Sequence, residues 1–368
     1  MNSAVAEIDL SAIEHNIKQI QAKVDPADVM AVVKANAYGH GAVQVSKTVL
    51  DAGVKYLGVA RLEEATDLRK SGVRAPILVF GGIQENEKEY VDHRLDATVF
   101  DPSHLNHIAA LDKAIAVHIK VDTGMGRLGI PWKEALPFIK QCNSAANIII
   151  KGLYTHFATS DEADKKYAHL QLERFKQVLQ QCRDTGIEFP YIHAANSGAI
   201  LDLPDTYFNL VRPGIMIYGY YPSDETSESI PLKPVMTFKT RVIYLKTVKK
   251  GTSISYGRVY ASKRKTRIAT LAAGYADGYN RLLTNTGKVL IKDRIFPVVG
   301  RVCMDYIMID LGLDNSVNIG DEAILFGNHE SVNVLSICQK LDTIPYEVTC
   351  WVSNRVPRVY KNEVLSYD

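Results

Sequence analysis

The sequence lacks any uninterrupted apolar run of about 18 residues, the length a membrane-spanning helix needs. Its start, MNSAVAEIDL, has neither the basic cluster nor the apolar core of a secretion signal, so a cytoplasmic protein is expected. Cysteine is scarce. The five cysteines, Cys142, Cys182, Cys303, Cys338 and Cys350, are odd in number and form no C-x-x-C pair, which speaks against a disulfide framework or a thiolate zinc site. An excess of one charge is also missing: 43 Lys plus Arg against 41 Asp plus Glu leave a net charge of +2, giving no electrostatic footprint for nucleic acid or an anionic membrane. What remains is ordinary globular usage, 46% hydrophobic and 23% charged, in 368 residues, enough for two or three domains.

Short Val- and Ile-rich runs alternate with longer segments of helical period up to about residue 220, the pattern of repeated βα units around a parallel sheet. Candidate strands fall at 29–33, 56–60, 77–80, 97–100, 116–121, 148–154, 191–193 and 208–211. Eight such strands fit a closed (β/α)8 barrel better than an open doubly wound sheet, which remains the alternative. The Pro-, Ser- and acid-rich segment YYPSDETSESIPLKP reads as a connector. Beyond it, alternating patterns at 237–248 and 301–310 predict a mainly β domain, with short helices at 331–341 and 346–353. The expected fold class is therefore α/β: a barrel over 9–232 and a mainly β C-terminal domain over 233–368, for which residues 1–8 are a candidate extra strand.

Some motifs read blandly. The basic run 263–267 is expected to be a solvated hairpin tip, and His104 and His107 a solvated helix face with no metal. Residues 124–129, GMGRLG, match G-x-G-x-x-G, follow a strand and precede a helix expected to begin at Pro131. A dinucleotide site also needs an acidic residue about 20 positions on, and none occurs between Glu134 and Asp161.

Parallel barrels carry their working residues where strands end. Here Lys34 ends the first run, Arg127 follows the fifth, His156 the sixth, Asn196 and Ser197 the seventh, and Arg212 and Gly214 the eighth. Five mostly β-branched apolar residues lead into Lys34, and partial desolvation would favour a nucleophilic amine able to form a Schiff base. The Ser197 hydroxyl and the N–H groups near Gly214 and Ile215 form a candidate phosphate cradle. An amine nucleophile facing a phosphate site points to pyridoxal 5'-phosphate.

The motifs VVKANAYGHG, KVDTGMGRLGI, THFATSDE, RPGIMIYG, SYGR, AAGYADGY, VGRVCMDYIMID and PYEV, spread over nearly the full length, resemble those of alanine racemases, barrel-type pyridoxal phosphate enzymes. The resemblance implies a homodimer whose active sites are shared between subunits, acting on a small amino acid. Lys34 would hold the cofactor and serve as one acid/base, with Tyr256 of the other subunit as the opposing one. Tyr38, His156, Asn196, Ser197, Gly214, Ile215 and Tyr346 would bind the cofactor, and Arg212 would face its pyridine nitrogen without readily giving up a proton. Arg127 would contact the substrate carboxylate, helped by Met304 of the other subunit. Lys120 matches a position carbamylated in some members, where it orients Arg127. Tyr275 and Tyr346 would narrow the entrance, with Asp161, Arg281, Arg301 and Ile344 forming a ring further out and Asp305 also near the entrance.

The implied activity is interconversion of L- and D-alanine, supplying D-alanine for peptidoglycan. A serine-preferring racemase is the near alternative, since an apolar pocket discriminates weakly against one hydroxyl. Arg212 argues against a basic amino-acid decarboxylase, and the residues after Pro234 against a single-barrel cofactor carrier.

Overall fold

The computed structural model describes residues 4–83 and 86–362. Two compact units emerge: Ile13–Ala37 with Ala42–Lys233, and the described residues of 4–12, 38–41 and 234–362.

The first unit is a near-closed parallel barrel. Its strands run in the order Leu210–Val211, Asp28–Val32, Tyr56–Val59, Ile77–Gly82, Asp96–Val99, Ile115–Asp122, Ile148–Tyr154 and Tyr191–His193. The ends of this sheet meet where the Arg212 N–H donates to the Ala195 carbonyl at 2.9 Å. Strands such as Tyr56–Val59 are buried along their whole length, as a sheet covered on one face by helices and filled on the other requires. The helix Lys166–Asp184 shows the covering side, burying Ala168, Leu172, Phe175, Leu179 and Cys182 at three- and four-residue spacing.

The second unit is built on the long strand Met236–Val248, which pairs antiparallel with Ala4–Asp9, Glu322–Phe326 and Thr266–Leu271. Its register shifts between Val242 and Tyr244, so one half can serve a different neighbour from the other. Ala4–Asp9 alternates buried and half-buried positions and pairs in parallel with Arg358–Lys361. Two short helices, Val334–Leu341 and Pro345–Trp351, complete the unit.

Four expectations need correction. Only Ile307–Gly312 of the segment 301–310 is strand. The segment before it is a loop, in which the Cys303 N–H closes a turn on the Tyr306 carbonyl at 2.9 Å and the Cys303 carbonyl accepts from Tyr275 at 3.0 Å. The basic run is no hairpin tip: Tyr260–Ala261 pairs with Ser253–Ile254, whereas Thr266–Leu271 pairs elsewhere, so the exposed lysines and arginine link two different sheets. The glycine-rich loop after Asp122 leads into a short strand, Ile130–Pro131, so Pro131 ends a strand and caps a 3-10 turn, Trp132–Glu134, that runs on into the α-helix Ala135–Ser144. His104 is buried, edge-on to Phe100 at 4.7 Å, rather than solvated.

Among the described residues, no helix is long and apolar enough to cross a membrane and no cluster of His, Cys, Asp or Glu could hold a metal ion. Cys142, Cys182 and Cys338 are buried free thiols, Cys303 is half-buried and Cys350 exposed.

Candidate active site

The chain leaves the strand Asp28–Val32 through Val33 into Lys34 and then turns the wrong way. Ala35, Asn36, Ala37 and Tyr38 all have φ near +52°, a left-handed turn that costs roughly 1–2 kcal/mol for each residue bearing a Cβ. Local bonds hold it: Glu64 accepts from the Ala35 N–H at 2.6 Å, Asn36 Oδ1 from Ala42 at 2.8 Å, and the Val33 carbonyl from Ala37 at 2.9 Å. Strain held by several independent bonds directly after a strand end makes Lys34 a candidate functional position.

Around the same end of the barrel the polar side chains are fixed by the loops that carry them. Asn196 caps the helix Ser197–Asp202, accepting from Ala199 at 3.1 Å and from Ser160 Oγ at 2.8 Å. Ser197 is buried, and its Oγ accepts the Gly214 N–H at 2.9 Å, which joins the loops after the last two strands. Gly214 then opens the tight turn Ile215–Tyr218. Arg127 is exposed on the loop after Ile115–Asp122. Asp122 Oδ1 pins that loop through the Gly124 N–H at 2.9 Å, and Arg174 does so through the Thr123 carbonyl at 2.8 Å. Asp161 is half-buried, its carbonyl accepting from Ser223.

Arg212 lies in the barrel interior, 4% exposed. It donates to the carbonyls of Thr155 at 2.7 Å and Ala194 at 3.0 Å and to His193 Nδ1 at 2.8 Å, with His156 Nδ1 at 3.4 Å. Burial lowers its pKa to about 10, which still leaves it charged at neutral pH. Burial, and then the charges of Arg212, Arg127, Lys120 and Lys34, hold His156 well below the usual histidine range, so its imidazole is neutral. Lys120 is brought down to about 8, first by burial and then by Arg127 and Arg212. Four cationic side chains thus act on one neutral histidine. Such a donor set fits a ligand that brings anionic groups, and the Ser197 hydroxyl, which accepts from Gly214 and can still donate its own proton, suits a phosphate.

The second unit carries the other expected residues. Tyr38 is buried and tilts against Tyr346 with ring centroids 5.8 Å apart. Tyr256 is 71% exposed between Ser255 and Gly257, whose φ values are +65° and +68°. Ser255 Oγ donates to the Arg301 carbonyl at 2.7 Å, tying the Tyr256 turn to the 301–306 loop. Met304 on that loop is 52% exposed. Asp305 accepts from Arg355 at 2.7 Å. Tyr275, Arg281 and Ile344 are exposed.

Residues 8–222 match the family model for the N-terminal domain of alanine racemase, and residues 235–360 match that for its C-terminal domain. The chain belongs to the alanine racemase family. It is 47% identical over 367 residues to the alanine racemase of Halothermothrix orenii, covering 98% of this chain and 97% of that protein. Its fold is similar to that of the alanine racemase of Clostridium difficile 630, with a TM-score of 0.94 at 38% identity over 98% of this chain and 96% of that one. The structure of the Clostridium difficile racemase in complex with cycloserine gives a TM-score of 0.92 at the same identity and coverage.

Several residues of this family member carry no motif signal. Glu64, Tyr154, His193 and Arg355 hold the expected residues in place. Only the period-two placement of His118 and Lys120 on one strand hinted at polar side chains inside the barrel.

Proposed function

We propose that the protein interconverts L- and D-alanine by a two-base mechanism with pyridoxal 5'-phosphate, as a homodimer that completes each active site with residues of the other subunit. The observation that carries this reading is the buried Arg212 guanidinium, held by the Thr155 and Ala194 carbonyls and His193 with His156 Nδ1 at 3.4 Å, at the end of the barrel where Lys34 leaves its strand and Ser197 bonds Gly214. When bound, pyridoxal phosphate supplies an electron-withdrawing ring that acidifies the substrate Cα–H.

Ser197, Gly214 and Ile215, with Tyr38 and Tyr346, hold the phosphate. Lys34 Nζ would hold the cofactor, and its amine would move a proton at the substrate Cα from one side. Tyr256 of the partner subunit moves the proton on the other side, and its 71% exposure in the single chain leaves it free for that use. Arg212, fixed by two carbonyls and His193, would donate a hydrogen bond to the ring nitrogen and keep its proton. A guanidinium there would leave the ring a modest electron sink and so limit side reactions. Arg127 binds the substrate carboxylate with the partner subunit's Met304. A carbamate on Lys120 would turn a like charge beside Arg127 into an oriented acceptor. The tyrosine-lined entrance favours alanine over serine, and the product D-alanine serves peptidoglycan.

The test is loss of optical activity from separate solutions of L-alanine, L-serine and L-lysine with purified protein and pyridoxal phosphate. Fast loss with alanine and slow loss with the other two is expected. Activity on serine above that on alanine would favour the serine racemase, and no loss in any solution would remove the two-base reading.

A further inference from the structure

The interior of the barrel holds a row of polar side chains that the proposed chemistry does not use. Starting from the buried guanidinium, Arg212 Nη1 lies 2.8 Å from His193 Nδ1, His193 Nε2 lies 2.9 Å from His118 Nδ1, and His118 Nε2 lies 3.1 Å from the Tyr56 hydroxyl. The Tyr56 hydroxyl in turn bonds Asp96 Oδ2. Both histidines are fully buried.

The direction of every proton in this row follows from its ends. A guanidinium N–H can only donate, so His193 Nδ1 accepts. Burial is the main cause holding both imidazoles below the usual histidine range, so each is neutral and has one N–H. His193 must therefore carry its proton on Nε2 and donate to His118 Nδ1. His118 then carries its own on Nε2 and donates to the Tyr56 oxygen, leaving the Tyr56 hydroxyl to donate to Asp96. All four hydrogen bonds point the same way, from the cation to the carboxylate. Reversing any one of them would set two donors or two acceptors face to face inside the barrel.

Tyr56 and Asp96 begin their strands, whereas Lys34 and Arg212 follow theirs, so the row crosses the barrel from one end to the other. At the far end it reaches a cleft of about 780 Å³, lined by Tyr56, Asp96 and Tyr191 among others. Residues at the strand-beginning end of such barrels ordinarily serve stability alone.

We propose that Tyr56 and Asp96 are positioning residues for the reaction: acting through His118 and His193, they fix the tautomer that receives Arg212 and so set the orientation of the guanidinium toward the cofactor ring. This rests on the racemase reading above. With the Tyr56 hydroxyl removed, His118 Nε2–H loses its partner at 3.1 Å and faces only Asp96 Oδ2, 3.7 Å away, and with the Asp96 charge removed, the row loses the anion that polarises it. In either case the disturbance is felt at Arg212, on the opposite side of the barrel.

The test uses the full-length holoenzyme and three variants, Tyr56→Phe, Asp96→Asn and Tyr191→Phe. Tyr191 stacks on His118 at 6.3 Å and meets Tyr56 edge-on at 5.6 Å, so its variant disturbs the same packing without removing a member of the row. The readouts are kcat and KM for alanine, the absorption band of bound pyridoxal phosphate, and the ring 15N resonances of labelled histidine without substrate. Tyr56→Phe and Asp96→Asn should move the His193 resonances and the cofactor band and lower kcat roughly tenfold with KM nearly unchanged, while Tyr191→Phe leaves all four near wild type. Unmoved His193 resonances in Tyr56→Phe, or an equal loss in Tyr191→Phe, overturns the proposal. If Asp96→Asn does not fold, Tyr56→Phe decides alone. A wild type inactive on alanine would sink the racemase reading instead, and the histidine resonances would still report on the row.

Discussion

Lys120 Nζ lies 5.5 Å from the centre of the Tyr154 ring, and the Arg212 guanidinium carbon lies 5.3 Å from the same centre. Burial first, and then the charges of Arg127 and Arg212, bring the Lys120 pKa down to about 8. The folded value lies below the ordinary 10.5 of a lysine. Below about pH 8 both folded and unfolded chains hold this proton and the full cost of burying the charge is felt. Between about 8 and 10.5 the unfolded chain holds more of it, so stability rises with pH, by about 3 kcal/mol across that window. Urea unfolding of unmodified wild type and Lys120→Met at pH 7, 8, 9 and 10 checks this. The difference in stability should favour the methionine variant at pH 7 and shrink toward pH 10, since the other titrating groups cancel. A constant difference would contradict it.

The same lowered pKa makes Lys120 a neutral nucleophile at mildly alkaline pH, the form that adds carbon dioxide. Protein equilibrated with 13C-bicarbonate should show a carbamate carbon resonance that Lys120→Ala lacks. The same resonance in the alanine variant would place the carbamate elsewhere.

Ser197 offers a measurement at the phosphate end. Its Oγ accepts the Gly214 N–H inside the protein, and alanine would leave that donor unpaired at a cost of about 1–3 kcal/mol. Ser197→Ala should therefore lower the melting temperature modestly and weaken pyridoxal phosphate binding roughly tenfold, with free pyridoxal affinity changed less. Equal weakening of phosphorylated and unphosphorylated cofactor, followed by absorbance titration, would argue against a phosphate role.

How much of this arrangement can be read in the sequence depends on where each bond partner sits along the chain. The strands Ile148–Tyr154 and Tyr191–His193 have the bounds that their apolar runs predict, although Ile149 and Lys151 are exposed and only Gly152–Tyr154 and His193 are buried, so it is the run of Ile, Leu and Tyr rather than full burial that makes them legible. Lys34 was legible for the same reason, as the first polar residue after such a run. The left-handed turn from Ala35 to Tyr38 was not, since the sequence Ala-Asn-Ala-Tyr contains no glycine and the turn is held by Glu64, 29 residues from Ala35. Arg355 was silent too. It grips Asp277, 78 positions away, at 2.7 and 3.0 Å and Asp305, 50 positions away, at 2.7 Å, pairings that no local pattern announces. The loop 301–306 alternates like a strand, but its backbone bonds go to a turn and to Tyr275 and Ala276.

That last pairing makes Gly274 a sensitive point. A Cβ there would lie 2.3 Å from both the Cys303 and the Met304 carbonyl oxygens, which are backbone atoms and cannot swing aside. Beside it, the N–H groups of Tyr275 and Ala276 donate to those two carbonyls at 3.0 and 3.1 Å. Gly274→Ala should break both bonds, displace the loop that carries Met304, and destabilise the protein by about 2–4 kcal/mol. Thermal unfolding checks the stability, and a raised KM for alanine at temperatures well below the transition checks the displacement. A variant with unchanged stability would mean that the two segments can separate at no cost.

Lys34 and Tyr256 lie in different units of the chain, and the proposed reaction assigns them to different subunits at each active site. This makes a prediction that single-subunit catalysis cannot imitate. Lys34→Ala should abolish the cofactor absorption band that depends on the amine. Tyr256→Phe should keep that band but slow proton exchange unequally for the two enantiomers, because only one face loses its base. Each homodimer should be nearly inactive. In a heterodimer of the two variants, purified through different tags, one site joins intact Lys34 to intact Tyr256 of the partner subunit and the other site lacks both. Activity should return to about half the wild-type value per dimer. If each chain instead used its own Lys34 and Tyr256, both sites of the heterodimer would still be missing one group. Its activity would then be no greater than the mean of the two inactive parents.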